Sequence, residues 1–167
     1  WVRHGPTHAK SMVGWSDLPA DLGDEARIAR LSAYLPGDAL VISSDLIRAR
    51  ATADALAGSR TRLPETRDLR EIHFGAWELQ DFDTIPDQTH LRAFWEQPGD
   101  IRAPGGESWH EVAARVTGAV EHLCRAHPGR DAAGAPRWRP GCPGARRGRS
   151  RYRTGLRRAR RAASGGH

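Results

Sequence analysis

Apolar runs and amphipathic segments alternate along the first part of the chain, and this alternation constrains the fold more than any other feature. Apolar residues three or four apart predict helices over 24–35, 46–56 and 108–127. A short apolar run over 39–43 predicts a buried strand, and Val2 ends a second short strand. Because alternating strands and helices build helix-covered parallel sheets, we expect an α/β domain, a three-layer αβα arrangement with a mainly parallel sheet.

Start and stop signals support the helices. Asp24 is a candidate cap for the first helix, and Ser108 with Glu111 forms a capping box before the last. Between these helices, residues 79–106 are rich in polar and turn-forming residues, so we predict an irregular region with a few aromatic anchors (Phe82, Phe94, Trp95). We expect His73, Trp77, Phe94 and Trp95 to be structural, and Ser108 to be a cap rather than a nucleophile.

The charge distribution divides the chain at residue 131. Residues 132–167 hold 11 Arg, no Lys and no acidic residue, whereas residues 1–131 hold 15 basic and 20 acidic residues, a net charge of −5. The second segment contains no strand pattern, and proline and glycine interrupt its first part. We therefore expect a folded domain over 1–131 and a disordered Arg/Gly/Pro-rich tail over 132–167.

Composition also bears on the compartment. No apolar run approaches the ~18 residues that a membrane span needs, and no signal peptide is recognisable. Cys124 and Cys142 form neither a CxxC pattern nor a disulfide framework. We expect a soluble cytoplasmic protein with no membrane partner.

Arg3-His4-Gly5 stands where the first predicted strand enters a loop. Ligands of open parallel sheets bind at that edge, a guanidinium matches phosphate oxygens, and an imidazole serves as a nucleophile or proton carrier. Gly5 allows the backbone to approach a ligand closely, and Thr7 adds a hydroxyl. The tripeptide indicates an anion site, although a plain surface loop has equal weight.

Two further residues strengthen the phosphate interpretation. Arg48 begins the helix after the second strand and reaches the same sheet edge as Arg3 if the two strands are neighbours. Glu71 is flanked by Leu69, Ile72 and Phe74, so we expect a partly desolvated carboxyl with a raised pKa, suited to proton donation. A solvated arginine and an ordinary surface glutamate are the plainer alternatives.

Four motifs in order resemble the histidine phosphatase superfamily, also called phosphoglycerate mutase-like. They are VRHGPT (2–7), SSDLIRARATADAL (43–56), LREIHFGAWE (69–78) and PGGESWHEVAARV (104–116). The resemblance implies that His4 is the phosphorylated nucleophile, that Arg3 and Arg48 bind the phosphate with Gly5 and Thr7, and that Glu71 donates a proton. It implies a small phosphorylated substrate, hydrolysed through a phosphohistidine, and no metal or organic cofactor.

The family's second catalytic histidine is missing from its expected place. It follows a strand that should begin near Asp131, but the sequence there is arginine-rich, and the one histidine after His127 is His167. We therefore expect that the C-terminal part of the fold is missing and that catalysis is impaired. Our hypothesis is a reading-frame shift at about Asp131–Ala132, since Arg, Gly, Ala and Pro all have GC-rich codons.

The gene itself tests this hypothesis. Read one base forward, the codons of residues 136–139 can spell His-Gly-Gly, and those of residues 132–134 can spell Leu-Leu-Val. We predict that nucleotide sequencing finds an open frame of this kind beyond the codon of Asp131. An early stop in that frame, or the lack of a histidine followed by small residues, would contradict the hypothesis.

The alternative is a non-catalytic protein with a genuine Arg-rich arm. Eleven arginines without acidic residues would bind the phosphate backbone of a nucleic acid by counterion release. Salt-dependent RNA or DNA binding that is lost on deletion of 132–167 would favour this alternative.

Overall fold

The computed structural model describes residues 1–129 and 132–133. Within that part of the chain, the helices and strands are α1 (Glu25–Tyr34), β1 (Leu40–Val41), α2 (Ile47–Ala57), α3 (Gln88–Glu96), α4 (Trp109–Ala126) and β2 (Ala132–Ala133). Short 3₁₀ turns lie at Arg67–Leu69, Gly75–Trp77 and Phe82–Thr84. None of the described helices is long and apolar enough to cross a bilayer.

The three predicted helices are confirmed, and the predicted capping residues begin two of them. The Asp24 carboxylate accepts a hydrogen bond from the Arg27 backbone N–H at 2.9 Å. Ser108 and Glu111 exchange both bonds of the capping box, and Ser108 is 2 % exposed, as expected of a structural cap. α2 lacks a cap of its own, and Asp17 accepts the Ile47 N–H at 2.7 Å instead.

The buried face of α2 is not the one that its apolar positions indicate. Ile47 is 45 % exposed, while Arg48 (1 %), Thr52 (8 %) and Leu56 (3 %) form the buried stripe one residue further on. These positions recur every four residues, as a helix requires. Since two of them are polar, hydrophobic spacing alone could not find the face that turns inward.

The sheet is small and parallel. Leu40 and Val41 of β1 pair with Ala132 and Ala133 of β2, and Val41 forms a parallel bridge with Arg62 on its other side. The prediction of no strand beyond residue 131 is therefore wrong for two residues, because pairing with a buried apolar strand overrides the low β-propensity of alanine.

The predicted strand ending at Val2 is not observed, since none of the residues described pairs with residues 1–4 in a ladder. The bridge on the other side of β1 is formed by Arg62, and the segment that follows contains the 3₁₀ turn at Arg67–Leu69.

An aromatic core lies beneath the region predicted to be irregular. Residues 79–106 contain a helix that the sequence analysis missed, α3, which Asp87 caps by accepting the His90 N–H at 2.9 Å. Phe94 is fully buried and packs edge-on against Phe74, Trp77 and Trp95. The structural roles expected of Trp77 and Phe94 are confirmed.

Several expectations concern residues that are not described. Residues 134–167 are outside the described part of the chain, and they include the Arg-rich tail beyond Ala133, Cys142 and His167. The reading-frame hypothesis also concerns these residues. Their outcome rests on the experiments proposed for them.

The aromatic core provides a matched pair of substitutions. Phe94→Ala removes a fully buried ring, and we expect it to lower the free energy of unfolding by about 3–5 kcal/mol. Phe82→Ala removes a ring that is 43 % exposed and serves as the control, with a loss below about 1.5 kcal/mol. Urea unfolding measures both values, and equal losses would contradict this core assignment.

Candidate functional site

One buried guanidinium joins the three segments that carry the predicted site residues. Arg48 donates from Nε to Nε2 of His4 at 3.2 Å and from Nη2 to Oε2 of Glu71 at 3.2 Å. Two further N–H groups donate to the backbone carbonyls of Ser16 (Nη1, 2.9 Å) and Gly14 (Nη2, 2.5 Å). The structure therefore brings His4, Arg48 and Glu71 together, as the ordered motifs predicted.

The loop after His4 is fixed to α2 from the other side. The Gly5 N–H donates to the Thr52 hydroxyl at 3.0 Å, and that hydroxyl donates to the Arg48 carbonyl at 2.7 Å. A Cβ on Gly5 would lie 2.7 Å from the Asp21 carbonyl oxygen, so a larger residue does not fit there. Glycine at this position serves the packing of two backbones, which holds His4 beside α2.

Hydrogen bonding determines which nitrogen of His4 is free to react. Nδ1 lies 2.7 Å from the Gly5 carbonyl, which can only accept, so Nδ1 carries the proton. Nε2 of the neutral ring then holds a lone pair, consistent with the bond that it accepts from Arg48. This tautomer places the nitrogen with the free lone pair beside the guanidinium.

Burial lowers the pKa of His4 below its ordinary value of 6.5. The hydrogen bond to the Gly5 carbonyl and the charge of Glu71 act in the opposite direction, while the charges of Arg48 and Arg3 add to the lowering. The imidazole is therefore neutral at physiological pH, the protonation state that a nucleophile needs.

Glu71 is more open to solvent than its sequence neighbours suggested. Its side chain is 47 % exposed, so the expected desolvation is not observed. Ile72 and Phe74 point into the aromatic core instead. The Glu71 carboxylate is left half-exposed, in contact with the buried Arg48 guanidinium. The carboxylate therefore lies between the Arg48 guanidinium and solvent, where a ligand can reach it.

A cleft of about 520 Å³ opens on His4 from the side of α1. Arg3, Gly5 and Thr7 line it together with the turn around Asp21, whereas Arg48 and Glu71 lie outside its lining. The Arg3 side chain is exposed and forms no hydrogen bond with the residues described, so it is free to meet an anion. Residues 1–129 contain no cluster of three His, Cys, Asp or Glu side chains arranged as a metal site.

The motif that carries Glu71 holds a second carboxylate, which was not predicted from the sequence. Glu78, with a side chain 13 % exposed, accepts from the Trp15 backbone N–H (2.7 Å) and the Ser16 hydroxyl (2.5 Å). It thereby fixes the loop whose Gly14 and Ser16 carbonyls hold Arg48. Thr52 was missed as well, although its position four residues after Arg48 places it on the same helix face.

The chain is similar to proteins of one known superfamily. The model of the histidine phosphatase superfamily (branch 1) matches residues 1–134. The chain therefore belongs to this superfamily, and its relatives of known structure imply an α/β phosphoglycerate mutase-like fold.

Individual relatives are named as mutases or have been solved as structures. A probable phosphoglycerate mutase GpmB of Serratia proteamaculans is 33 % identical over 128 residues, which cover 72 % of this chain and 60 % of the relative. The chain thus spans about three fifths of that relative's length.

Two solved structures are similar as well. Bacillus stearothermophilus YhfR is 29 % identical with a TM-score of 0.69, covering 78 % of this chain and 68 % of that one. A phosphoglycerate mutase from Thermus thermophilus is 37 % identical with a TM-score of 0.56, covering 72 % and 68 % respectively.

The lowered pKa of His4 links the site to stability. Below pH 6.5 the unfolded chain binds a proton at this ring before the folded protein does, so acid destabilises the fold. Above pH 6.5 neither state binds it, and the effect vanishes. We expect His4→Gln to lose less stability than the wild type as pH falls below 6.5, measured by urea unfolding across pH. His122→Gln, on an exposed face of α4, is the control, and a parallel loss in His4→Gln and wild type would contradict the buried neutral ring.

Proposed function

We propose that this protein hydrolyses small phosphomonoesters through a phosphohistidine at His4, on the three-layer αβα frame that the sequence predicts. The observation that supports this best is the contact of one buried guanidinium with both His4 Nε2 and Glu71 Oε2. One phosphate-binding cation is thus within hydrogen-bond reach of both the nucleophile and the proton donor.

In the first step, the phosphate enters the cleft beside Arg3 and His4 and takes over the Arg48 donor that binds Nε2 in the free protein. The lone pair of Nε2 forms a bond to phosphorus, and the bond from phosphorus to the ester oxygen breaks. Glu71, which is charged beside Arg48 in the free protein, takes up a proton from solvent as the phosphate anion binds next to it, and gives that proton to the leaving alcohol. The Nδ1–H of His4 stays on the Gly5 carbonyl, which stabilises the positive charge that the ring acquires.

In the second step, water attacks the phosphohistidine. Glu71, now ionised, accepts a proton from the water as its oxygen bonds to phosphorus, and the bond between phosphorus and Nε2 breaks. Inorganic phosphate leaves, while Glu71 regains the proton and His4 returns to the neutral tautomer. The positive charges of Arg3 and Arg48 stabilise the negative charge of the transferring phosphoryl group in both steps. The scheme needs no metal or organic cofactor.

Hydrolysis is preferred to mutase activity because the intervals between the four motifs are short, without large inserted loops. The GpmB relatives are named as probable phosphoglycerate mutases, and we extend to this chain only the phosphohistidine chemistry. We further propose that turnover by the 167-residue chain is slow. The second histidine expected beyond residue 131 would complete the phosphate pocket opposite His4, and that segment carries only His167.

Two substitutions test the assignment. His4→Ala removes the nucleophile and should abolish hydrolysis of p-nitrophenyl phosphate, however slow the wild type is. Glu71→Gln removes the proton donor and should slow hydrolysis of an alkyl phosphate by about 100-fold or more. Arg50→Gln is the control, since Arg50 lies on the exposed side of α2, where it pairs with Glu65. Full phosphatase activity in His4→Ala would refute the proposal.

A further inference from the structure

A second arginine holds the backbone that carries Glu71. Arg115 of α4 donates to several carbonyls of the segment from 67 to 71, at Asp68 (3.0 Å), Arg70 (3.1 Å), Glu71 (3.2 Å) and Arg67 (3.4 Å). Its side chain is 16 % exposed. One side chain therefore binds the carbonyl of Glu71 and those of three residues that precede it.

Glu107 extends this contact to the other side of Glu71. It binds Arg115 in a bidentate pair, with Oε1 accepting from Nε at 2.8 Å and Oε2 from Nη2 at 2.7 Å. The same Oε2 accepts the His73 backbone N–H at 2.9 Å. The pair thus binds the chain both before and after residue 72, so that Glu71 stands on a backbone fixed at two ends.

Trp15 completes the contacts to this segment. Its indole N–H donates to the Glu71 carbonyl at 2.8 Å, the carbonyl that Arg115 also binds. The indole stacks on the His73 ring at 4.4 Å between centroids, and the Arg115 guanidinium lies 5.7 Å from the indole centroid. Trp15 lies between Gly14 and Ser16, whose carbonyls bind Arg48. This loop therefore contacts the Glu71 main chain through Trp15 and also holds Arg48, the partner of the Glu71 side chain.

We propose that the Glu107–Arg115 pair is a positioning device that holds the Glu71 carboxylate against Arg48 and His4. The inference rests on the proposed function, in which Glu71 is the proton donor. Neither residue reaches the reacting atoms. Their effect on the reaction passes through the backbone at residues 67–73, whose position determines where the Glu71 side chain stands.

The chemistry of the pair suits this role. Burial raises the pKa of Glu107, but the hydrogen bonds from Arg115 and the His73 N–H, with the charges nearby, outweigh it, and the net shift is downward. Glu107 therefore stays ionised at neutral pH. The planar guanidinium satisfies the carboxylate with one edge while its other donors meet the carbonyls, an arrangement that an ammonium group cannot reproduce.

The fold contains a matched control, an arginine that performs a comparable task away from the site. Arg60 donates to the carbonyls of Ser32 (2.6 Å), Pro36 (2.7 Å), Leu35 (2.8 Å) and Leu56 (3.1 Å), and so ties α1 to α2. Arg60→Lys and Arg115→Lys each keep the charge and lose several carbonyl contacts. A merely structural role for Arg115 predicts that the two variants behave alike.

The first measurement compares leaving groups. p-Nitrophenolate departs without a proton, whereas an alkoxide requires one from Glu71. Arg115→Lys should therefore slow kcat for an alkyl phosphate by about 10-fold or more while changing kcat for p-nitrophenyl phosphate by less than about 3-fold. Glu71→Gln should show the same selective loss, and Arg60→Lys should leave the ratio of the two rates unchanged. An equal loss on both substrates in Arg115→Lys would overturn the positioning role.

The second measurement does not depend on turnover. The charge of Glu71 raises the pKa of His4, while the charges of Arg48 and Arg3 lower it. Loosening Glu71 should therefore lower the apparent pKa of the His4 ring, followed by NMR titration. Arg115→Lys should move it in the same direction as Glu71→Gln, and Arg60→Lys should not. The other charged groups that line the His4 cleft, His8, Asp21, Asp24 and Arg27, are unchanged in all these variants.

The two measurements separate the possible failures. If the wild-type chain hydrolyses neither substrate, the proposed hydrolysis fails, and the His4 titration alone decides whether the pair positions Glu71. If the His4 pKa is the same in Arg115→Lys as in wild type, while Glu71→Gln lowers it, the positioning device is refuted whatever the activity.

Discussion

The structure around His4 depends on the buried guanidinium of Arg48. Its side chain is almost fully enclosed, and its donors meet the imidazole, the Glu71 carboxylate and two backbone carbonyls. An arginine cannot lose its charge in a protein, so enclosing it requires that every donor finds an acceptor. The loop around Gly14 and Ser16 supplies two of these acceptors and is itself held by Glu78. Arg48 therefore links three separate segments into one site.

The features that the sequence predicted correctly are those that depend on side chains a few residues apart in one segment. Asp24 and the Ser108–Glu111 capping box predict where two helices begin, because a cap bonds to a residue only three positions away. The face of α2 was not predictable in this way, since its buried positions include Arg48 and Thr52, which are polar. α3 was missed because its turn-forming neighbours hide a short helix, and β2 because two alanines carry no strand pattern. α3 packs Leu91 and Phe94 into the aromatic core, and β2 pairs with β1, and neither partner can be read from the local sequence.

The same distinction holds at the site. His4, Arg48 and Glu71 could be predicted because their residue types and order are informative. The carbonyls of Gly14, Ser16 and residues 67–71 could not, since every residue has a carbonyl and its direction is known only from the fold. The expected desolvation of Glu71 failed for a related reason: its apolar neighbours Ile72 and Phe74 turn away from it into the core. Adjacency in sequence did not imply adjacency in space.

The claim on which the account depends is that Nε2 of His4 accepts a phosphoryl group. Rapid mixing of the protein with p-nitrophenyl phosphate, followed by quenching in base and mass spectrometry of the peptide that contains His4, tests it directly. We expect a phosphorylated His4 that is stable in base and labile in acid, and we expect none in Arg48→Met, which keeps the imidazole but removes the cation beside it. Phosphorylation of another residue, or of His4 to an equal extent in Arg48→Met, would contradict it.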